Sequence, residues 1–209
     1  MTQTAESFWE QHYSRLSKAT NGKPSVVLTR FIEARAIGNA LDLGCARGDD
    51  AIWMARQGWQ VLGVDISENA LHAARQTVHS AGLAERCRFE RHTLGETFPD
   101  GRYDLVTALF LHSPVDFDRT KVLKQAAEAT APGGLLLVAA HGSRAPWSWA
   151  APDTTYRSAE EELADLNLDN TIWRRVFVGP VERVARGPNG QSATVIDTVI
   201  ALERRYKTS

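Results

Sequence analysis

The stretch from Ala40 to Ser67, ALDLGCARGDDAIWMARQGWQVLGVDIS, constrains the fold more than any other part of the chain. Leu41 and Leu43 flank Asp42 on a short apolar run that stops at Gly44, the pattern of a strand covered on both faces. Gly44 and Gly48 bracket Cys45, Ala46 and Arg47; glycine permits positive φ and lets a ligand approach the backbone. Asp49 or Asp50 is placed to cap a helix with Ala51, Ile52, Met54 and Ala55 on its apolar face. Gly58 suits the C′ position that ends it. A second strand, Val61 to Val64, leads to Asp65, whose carboxylate can accept hydrogen bonds from both hydroxyls of a ribose. Strand, glycine loop, helix and strand make a βαβ half, the unit with which α/β sheets build nucleoside pockets.

The loop spacing discriminates between cofactors. A dinucleotide site uses G-x-G-x-x-G, which brings backbone amides against a pyrophosphate. Here the spacing is G-x-x-x-G, with Ala46 at the intermediate position and Asp49 directly after the loop. A carboxylate at that point repels a diphosphate. A nucleoside carrying an amino acid fits better, because the helix N-terminus still attracts that ligand's carboxylate.

On these residues, DLGCARGDDAIWMARQGWQVLGVDIS resembles the first signature and acidic loop of class I S-adenosylmethionine-dependent methyltransferases. Tryptophan in the helix and GVDIS after the second strand are similar to the small bacterial enzymes of the tellurite-resistance and thiopurine type. The resemblance implies an α/β, doubly wound, mostly parallel seven-stranded sheet with a C-terminal antiparallel hairpin, the Rossmann-like methyltransferase fold. It also implies S-adenosyl-L-methionine as cofactor. Gly44, Cys45 and Gly48 would then surround its methionine moiety, Asp65 its ribose and Ile66 its adenine, with Asp42 and Ala108 in the same cofactor set. Similar enzymes carry a carboxylate after the third strand that accepts from the adenine amino group. Here Thr93 aligns with it, followed by Leu94, whose amide can donate to the ring; Glu90 and Glu96 are the substitutes if the register differs.

The 209 residues fit one α/β domain with a substantial core. With 24 Lys and Arg against 25 Asp and Glu, no basic block is long enough to track phosphates, so nucleic acid is not an expected partner. The chain reads as having no signal peptide and no bilayer-spanning run, so no membrane association is expected. The two cysteines, Cys45 and Cys87, lack metal-ligand spacing and suit a reducing cytoplasm; no metal is expected.

Residues 4 to 17 read as an amphipathic helix with Phe8, Trp9, His12, Tyr13 and Leu16 at helical spacing. A second helix spans Pro24 to Ala36, with Pro24 in its first turn. Residues 1–37 thus form a helical cover or lid ahead of the cofactor-binding part, 38–209. Either the helices close a sheet edge, or the first is a lid, as in similar methyltransferases, with Trp9 and Tyr13 facing the cofactor.

Farther on, Ser67 caps a helix to about Ser80, and Cys87 to Arg91 form the third strand. The fourth strand, Tyr103 to Ala108, runs into Leu109, Phe110, Leu111, His112 and Ser113, at the edge where α/β sheets place ligands. His112 is a candidate general base by position, or a histidine packed beside the cofactor. Asp118 caps the next helix, APGG turns into the fifth strand, Leu135 to Ala140, and His141 at its end is the second candidate base. Trp147 and Trp149 in the next loop either wall an apolar substrate pocket or pin the loop to the core. Ile172 to Val184, with Pro180 marking an edge or bulged strand, turns at Gly187-Pro188-Asn189-Gly190 into Ala193 to Leu202.

The expected function is methyl transfer from S-adenosylmethionine to a small-molecule acceptor through sulfur, selenium, oxygen or nitrogen. The alternatives are a non-catalytic S-adenosylmethionine-binding protein and a nicotinamide-dependent oxidoreductase.

Overall fold

A computed structural model describes residues 4–16, 20, 22–115, 117–148, 150–151 and 153–206. Strands β1 (Asn39–Leu43), β2 (Gln60–Asp65), β3 (Cys87–Arg91), β4 (Tyr103–Leu109) and β5 (Thr130–His141) run parallel. Strand β7 (Ser192–Arg204) is antiparallel to both β5 and β6 (Trp173–Arg186) and lies between them. The sheet has seven strands in the order β3-β2-β1-β4-β5-β7-β6. The α/β fold is therefore mostly parallel with an antiparallel C-terminal pair.

The strands alternate side chains between two cores. Leu135, Leu137 and Ala139 of β5 point into one, with helices α2 (Val26–Ile32), α3 (Asp49–Arg56) and α4 (Glu68–Ser80). Leu136 and Val138 point into the other, with α5 (Arg119–Ala129) and α6 (Ala159–Leu166). Leu135, Leu136 and Leu137 are all fully buried, each contributing about 1.5–3 kcal/mol relative to exposure. That is why β5 reads as a continuous apolar run, the signature of a two-faced strand.

Several local expectations are corrected. The first helix, α1, spans Ala5–Ser14 and is capped by Thr4. α2 is shorter than expected because Ser25 caps it, its hydroxyl accepting from Leu28 N, so Pro24 lies before the cap. Neither Asp49 nor Asp50 caps α3: Gly48 does, at φ +81, and the two aspartates form the helix's first turn. Asp49 instead accepts from the Thr20 hydroxyl, and Asp50 accepts from Ser25 N at 2.6 Å. β6 is the edge strand, with its irregularity at Arg175/Phe177 and not at Pro180, which stays in register opposite Thr198. The β6–β7 ladder outruns β5: β5 stops at His141 opposite Asp197, while β6 and β7 remain paired as far as Arg186 and Ser192. The hairpin thus overhangs the carboxyl edge of the sheet.

Candidate active site

Strand order reverses between β1 and β4, the switch point at which open α/β sheets hold ligands. A cavity of about 410 Å³ opens there, within the usual range of small-molecule sites. Its floor is Gly44 after β1 and Asp65 with Ile66 after β2. One wall is the turn after β3, from His92 to Glu96, and the opposite wall is Phe110 to Ser113 after β4. Phe117, Asp118 and Lys121 close the far side, and Ala5, Trp9 and Tyr13 of α1 cover the top.

Gly44 has φ +69, and a Cβ there would come within 2.6 Å of Leu111 Cδ1. The floor therefore admits only glycine without moving the post-β4 wall. Ala46 adopts φ +50, a conformation costing about 1–2 kcal/mol for a side-chain-bearing residue. It is held there by donating its amide to Asp65 Oδ2 at 2.9 Å, while Ser67 N donates to Asp65 Oδ1 at 2.9 Å. Each oxygen of Asp65 retains acceptor capacity toward the cavity. Burial raises the Asp65 pKa, opposed by the backbone amides of Ser67, Ala46 and Ile66.

Beneath the glycine loop, Asp42 accepts from the Thr107 hydroxyl at 2.7 Å. Its other oxygen, Oδ2, is buried without a hydrogen-bond partner. Burial, reinforced by Asp50, pushes the Asp42 carboxyl up to about 8, and burial raises Asp50 to about 6. A diphosphate would set its charge against the Asp65 carboxyl on this floor, whereas a ligand with a ribose and no phosphate would not, and the residues present fit S-adenosylmethionine. Asp42, expected in the cofactor set, lies buried behind the cavity lining and holds its proton up to about pH 8.

The structure brings Trp9, Tyr13, Gly44, Asp65, Ile66, Thr93, Leu94 and His112 together around the cavity. It places the rest of the expected cofactor set behind that wall. Ala108 is fully buried within β4. Cys45 is buried with its sulfur toward Gly63, and burial, with Asp65 and Asp42 nearby, drives its thiol well above the usual pKa, which removes nucleophilic character. Gly48 is needed for packing, since a Cβ would lie 2.8 Å from the Phe89 ring. Trp147 stands against the hairpin tip, where a Cβ on Gly187 would lie 2.7 Å from its ring, and is not on the cavity wall. Trp149 lies outside the described residues. Glu96 lines the cavity beside Thr93, whereas Glu90 faces His92 at 3.6 Å.

Sequence reasoning missed Glu10. Its carboxylate accepts from Glu68 N (2.6 Å), Asn69 N (3.2 Å), the Ser67 hydroxyl (3.1 Å) and Asn69 Nδ2 (2.6 Å). α1 thus supplies the anion that the N-terminus of α4 attracts, and this holds Tyr13 over Asp65. Burial, with Asp65 next in effect, raises the Tyr13 hydroxyl far above its usual pKa.

His112 opens on the cavity, yet the crowded wall, Arg119 and His141 lower its pKa to about 4. It is a neutral imidazole at pH 7 and a poor proton acceptor. His141 stacks on Phe110 at 4.8 Å and on His112 at 6.0 Å between ring centroids. Arg119 reaches into the same loop, donating to Leu111 O at 2.8 Å and pairing with Glu162. Among the described residues, no group of three or more His, Cys, Asp or Glu side chains could hold a metal ion. No described helix is long and apolar enough to cross a membrane.

Residues 40–134 match the methyltransferase domain family. The methyltransferase GfsG of Streptomyces halstedii is 31% identical over 143 residues, 66% of this chain and 45% of that protein. The 27-O-demethylrifamycin SV methyltransferase of Amycolatopsis mediterranei is 34% identical over 133 residues, 62% and 47% respectively. The chain thus spans about half the length of these curated relatives. Among solved structures, one described as "Conversion of a Disulfide Bond into a Thioacetal Group during Echinomycin Biosynthesis" superposes with TM-score 0.72 and 21% identity, covering 97% of this chain and 93% of the other. TehB from Haemophilus influenzae superposes with TM-score 0.65 and 18% identity, over 94% and 67%. At that identity both likenesses concern the fold. The domain match over residues 40–134 and the methyltransferases among the relatives make this chain similar to S-adenosylmethionine-dependent methyltransferases.

Proposed function

We propose that this chain transfers the methyl group of S-adenosylmethionine to a small-molecule acceptor. The observation that carries the reading is the acidic, phosphate-averse floor of a cavity at the β1/β4 switch point. Its Asp42 keeps an unpartnered buried oxygen below the loop, and its Asp65 keeps lone pairs toward the cavity. The cofactor brings an already activated methyl group. The protein's task is to hold an acceptor lone pair in line with it, and such positioning supplies about 7–11 kcal/mol of barrier reduction.

In this reading Gly44 admits the methionine part, Asp65 orients the ribose, and Ile66, Thr93 and Leu94 flank the adenine, with Glu96 in reach of its amino group. Residues 1–37 act as a lid through Trp9 and Tyr13, ahead of the cofactor-binding part, 38–209. The near balance of charge favours a small acceptor over nucleic acid, in keeping with the rifamycin named for one relative. Two buried free thiols, Cys45 and Cys87, suit the reducing cytoplasm.

The test is calorimetry with S-adenosylmethionine and with NADH, followed by transfer of a tritiated methyl group to a panel of small phenols, amines and thiols. We expect binding of the first ligand alone and labelled product from at least one acceptor. Binding of NADH alone overturns the reading in favour of an oxidoreductase. Tight cofactor binding without transfer to any acceptor leaves the non-catalytic binding protein.

A further inference from the structure

We propose that His141 is the general base for a hydroxyl acceptor, and that Asp197 and Arg183 are its positioning residues. The inference rests on the methyl-transfer reading above and names the acceptor class of that same site.

Four elements converge where the β6–β7 hairpin overhangs the sheet. His141 ends β5, with its side chain 52% exposed and its ring against Phe110 and His112 of the cavity wall. Its register partner on β7 is Asp197, wholly buried, with Oδ1 3.9 Å from His141 Nδ1. Arg183 of β6 grips that carboxylate through two nitrogens, Nε to Oδ2 at 2.5 Å and Nη2 to Oδ1 at 3.3 Å. The Arg183 guanidinium also lies over the Phe110 ring, with Cζ 5.6 Å from the centroid. Phe110 sits at φ +56, its amide donating to Ala139 O at 2.8 Å, and it is packed against His141.

A buried carboxylate of this kind has a specific effect on an imidazole. Fixed by Arg183, Asp197 cannot turn away, and it favours the tautomer that carries its proton on Nδ1. The lone pair then sits on Nε2, at the exposed end of the ring. Although burial opposes it, the Arg183 guanidinium bonded to it and His141 nearby keep the Asp197 carboxyl below its usual pKa. At 3.9 Å the carboxylate acts on the ring through its charge and not through a hydrogen bond. The charged and titratable groups facing His141 are Asp197 from β7, Arg183 from β6 and His112 from the loop after β4. His112, on the cavity wall, is the second imidazole of this face, with its pKa lowered to about 4.

An oriented base is superfluous for a thiolate or selenolate, which reacts as the anion. It is needed for a hydroxyl, which stays protonated at working pH. In the step, the acceptor oxygen forms a bond to the methyl carbon and the C–S bond breaks, its electron pair staying on sulfur. The hydroxyl proton passes to His141 Nε2 and then to solvent. The products are a methyl ether, adenosylhomocysteine and one proton.

The primary test needs no turnover. With histidine labelled by nitrogen-15, long-range proton–nitrogen spectra assign the His141 tautomer, the resonance being identified by its loss in His141→Gln. We expect Nδ1–H in the wild type and a mixed tautomer in Asp197→Asn. An Nε2–H tautomer in the wild type, or an unchanged tautomer in Asp197→Asn, overturns the proposal. If Asp197→Asn does not fold, the wild-type spectrum decides the tautomer. The kinetic arm uses catechol and 4-nitrothiophenol. His141→Gln is expected to lower kcat for catechol at least about 100-fold and to leave the self-ionising thiol within about threefold. An equal fall for both acceptors means a structural role and overturns it. Failure to bind S-adenosylmethionine in calorimetry is separate: it sinks the methyl-transfer reading and leaves the tautomer result standing.

Discussion

The two halves of the sheet's carboxyl edge are built on opposite electrostatic plans. Around β1 and β2 the buried ionisable groups are carboxylates: Asp42, Asp50 and Asp65 crowd the glycine loop, and Asp42 keeps an oxygen that nothing bonds. Around β4, β5 and the hairpin each buried or half-buried carboxylate is matched to an arginine, Glu162 to Arg119 and Asp197 to Arg183. In the proposed reading the first half receives the cationic cofactor, and the second, with its carboxylates paired to arginines, spends its polar groups on orienting an acceptor.

The comparison breaks most visibly at Asp65. Asp65→Ala should weaken S-adenosylmethionine binding about 100-fold or more, since two hydrogen bonds to a charged acceptor are lost at about 1.5–3 kcal/mol each. The melting temperature should fall far less than that loss implies. Calorimetric affinity equal to wild type would remove Asp65 from the site.

Asp42→Asn should cost less affinity, about tenfold, and sharpen the comparison through pH. The Asp42 carboxyl titrates at about 8 when folded, against about 3.9 in an unfolded chain. Between those values the folded state holds the extra proton, so ligand-free stability falls as pH rises from about 4 through 8. Urea denaturation from pH 5 to 8.5 should show a shallower decline in Asp42→Asn. An identical slope in both proteins contradicts the assignment.

The smallest effect belongs to the lid. Glu10→Ala removes the anion at the N-terminus of α4, a capping loss of about 1 kcal/mol. We expect cofactor dissociation to quicken about fivefold, read by stopped-flow tryptophan fluorescence, since Trp9 travels with α1. An unchanged dissociation rate would mean that α1 covers the cavity without gating it.

The same contrast explains what the sequence made legible. The floor of the cavity is contiguous, so Gly44, Asp65 and Ile66 were readable from one βαβ unit. The proposed acceptor side draws on Phe110, His141, Arg183 and Asp197, which lie on separate elements. Nothing local indicates that Asp197 faces His141, because a slip of one residue in β7 would turn that carboxylate to the other face. Glu10 escaped notice for a related reason: on an isolated amphipathic helix it reads as solvent-facing, and only the docking of α1 on α4 gives it partners. The Asp49–Asp50 pair looked like a cap because capping propensity favours aspartate, yet Gly48 at φ +81 displaced it and sent both carboxylates to Thr20 and Ser25. Ala46 shows the reverse. The sequence flagged a departure from glycine, and the chain tolerates it by bonding the strained amide to Asp65.

The antiparallel insertion of β7 also bears on how the molecule is made. Within the sheet β6 pairs with β7 alone, yet β6 precedes it in the chain. On the ribosome it must emerge and wait with its backbone groups unpaired and with Val176 and Val184 turned to solvent. Of the seven strands β6 and β7 thus pair last, and a nascent chain stalled before residue 192 would present an open strand to its neighbours.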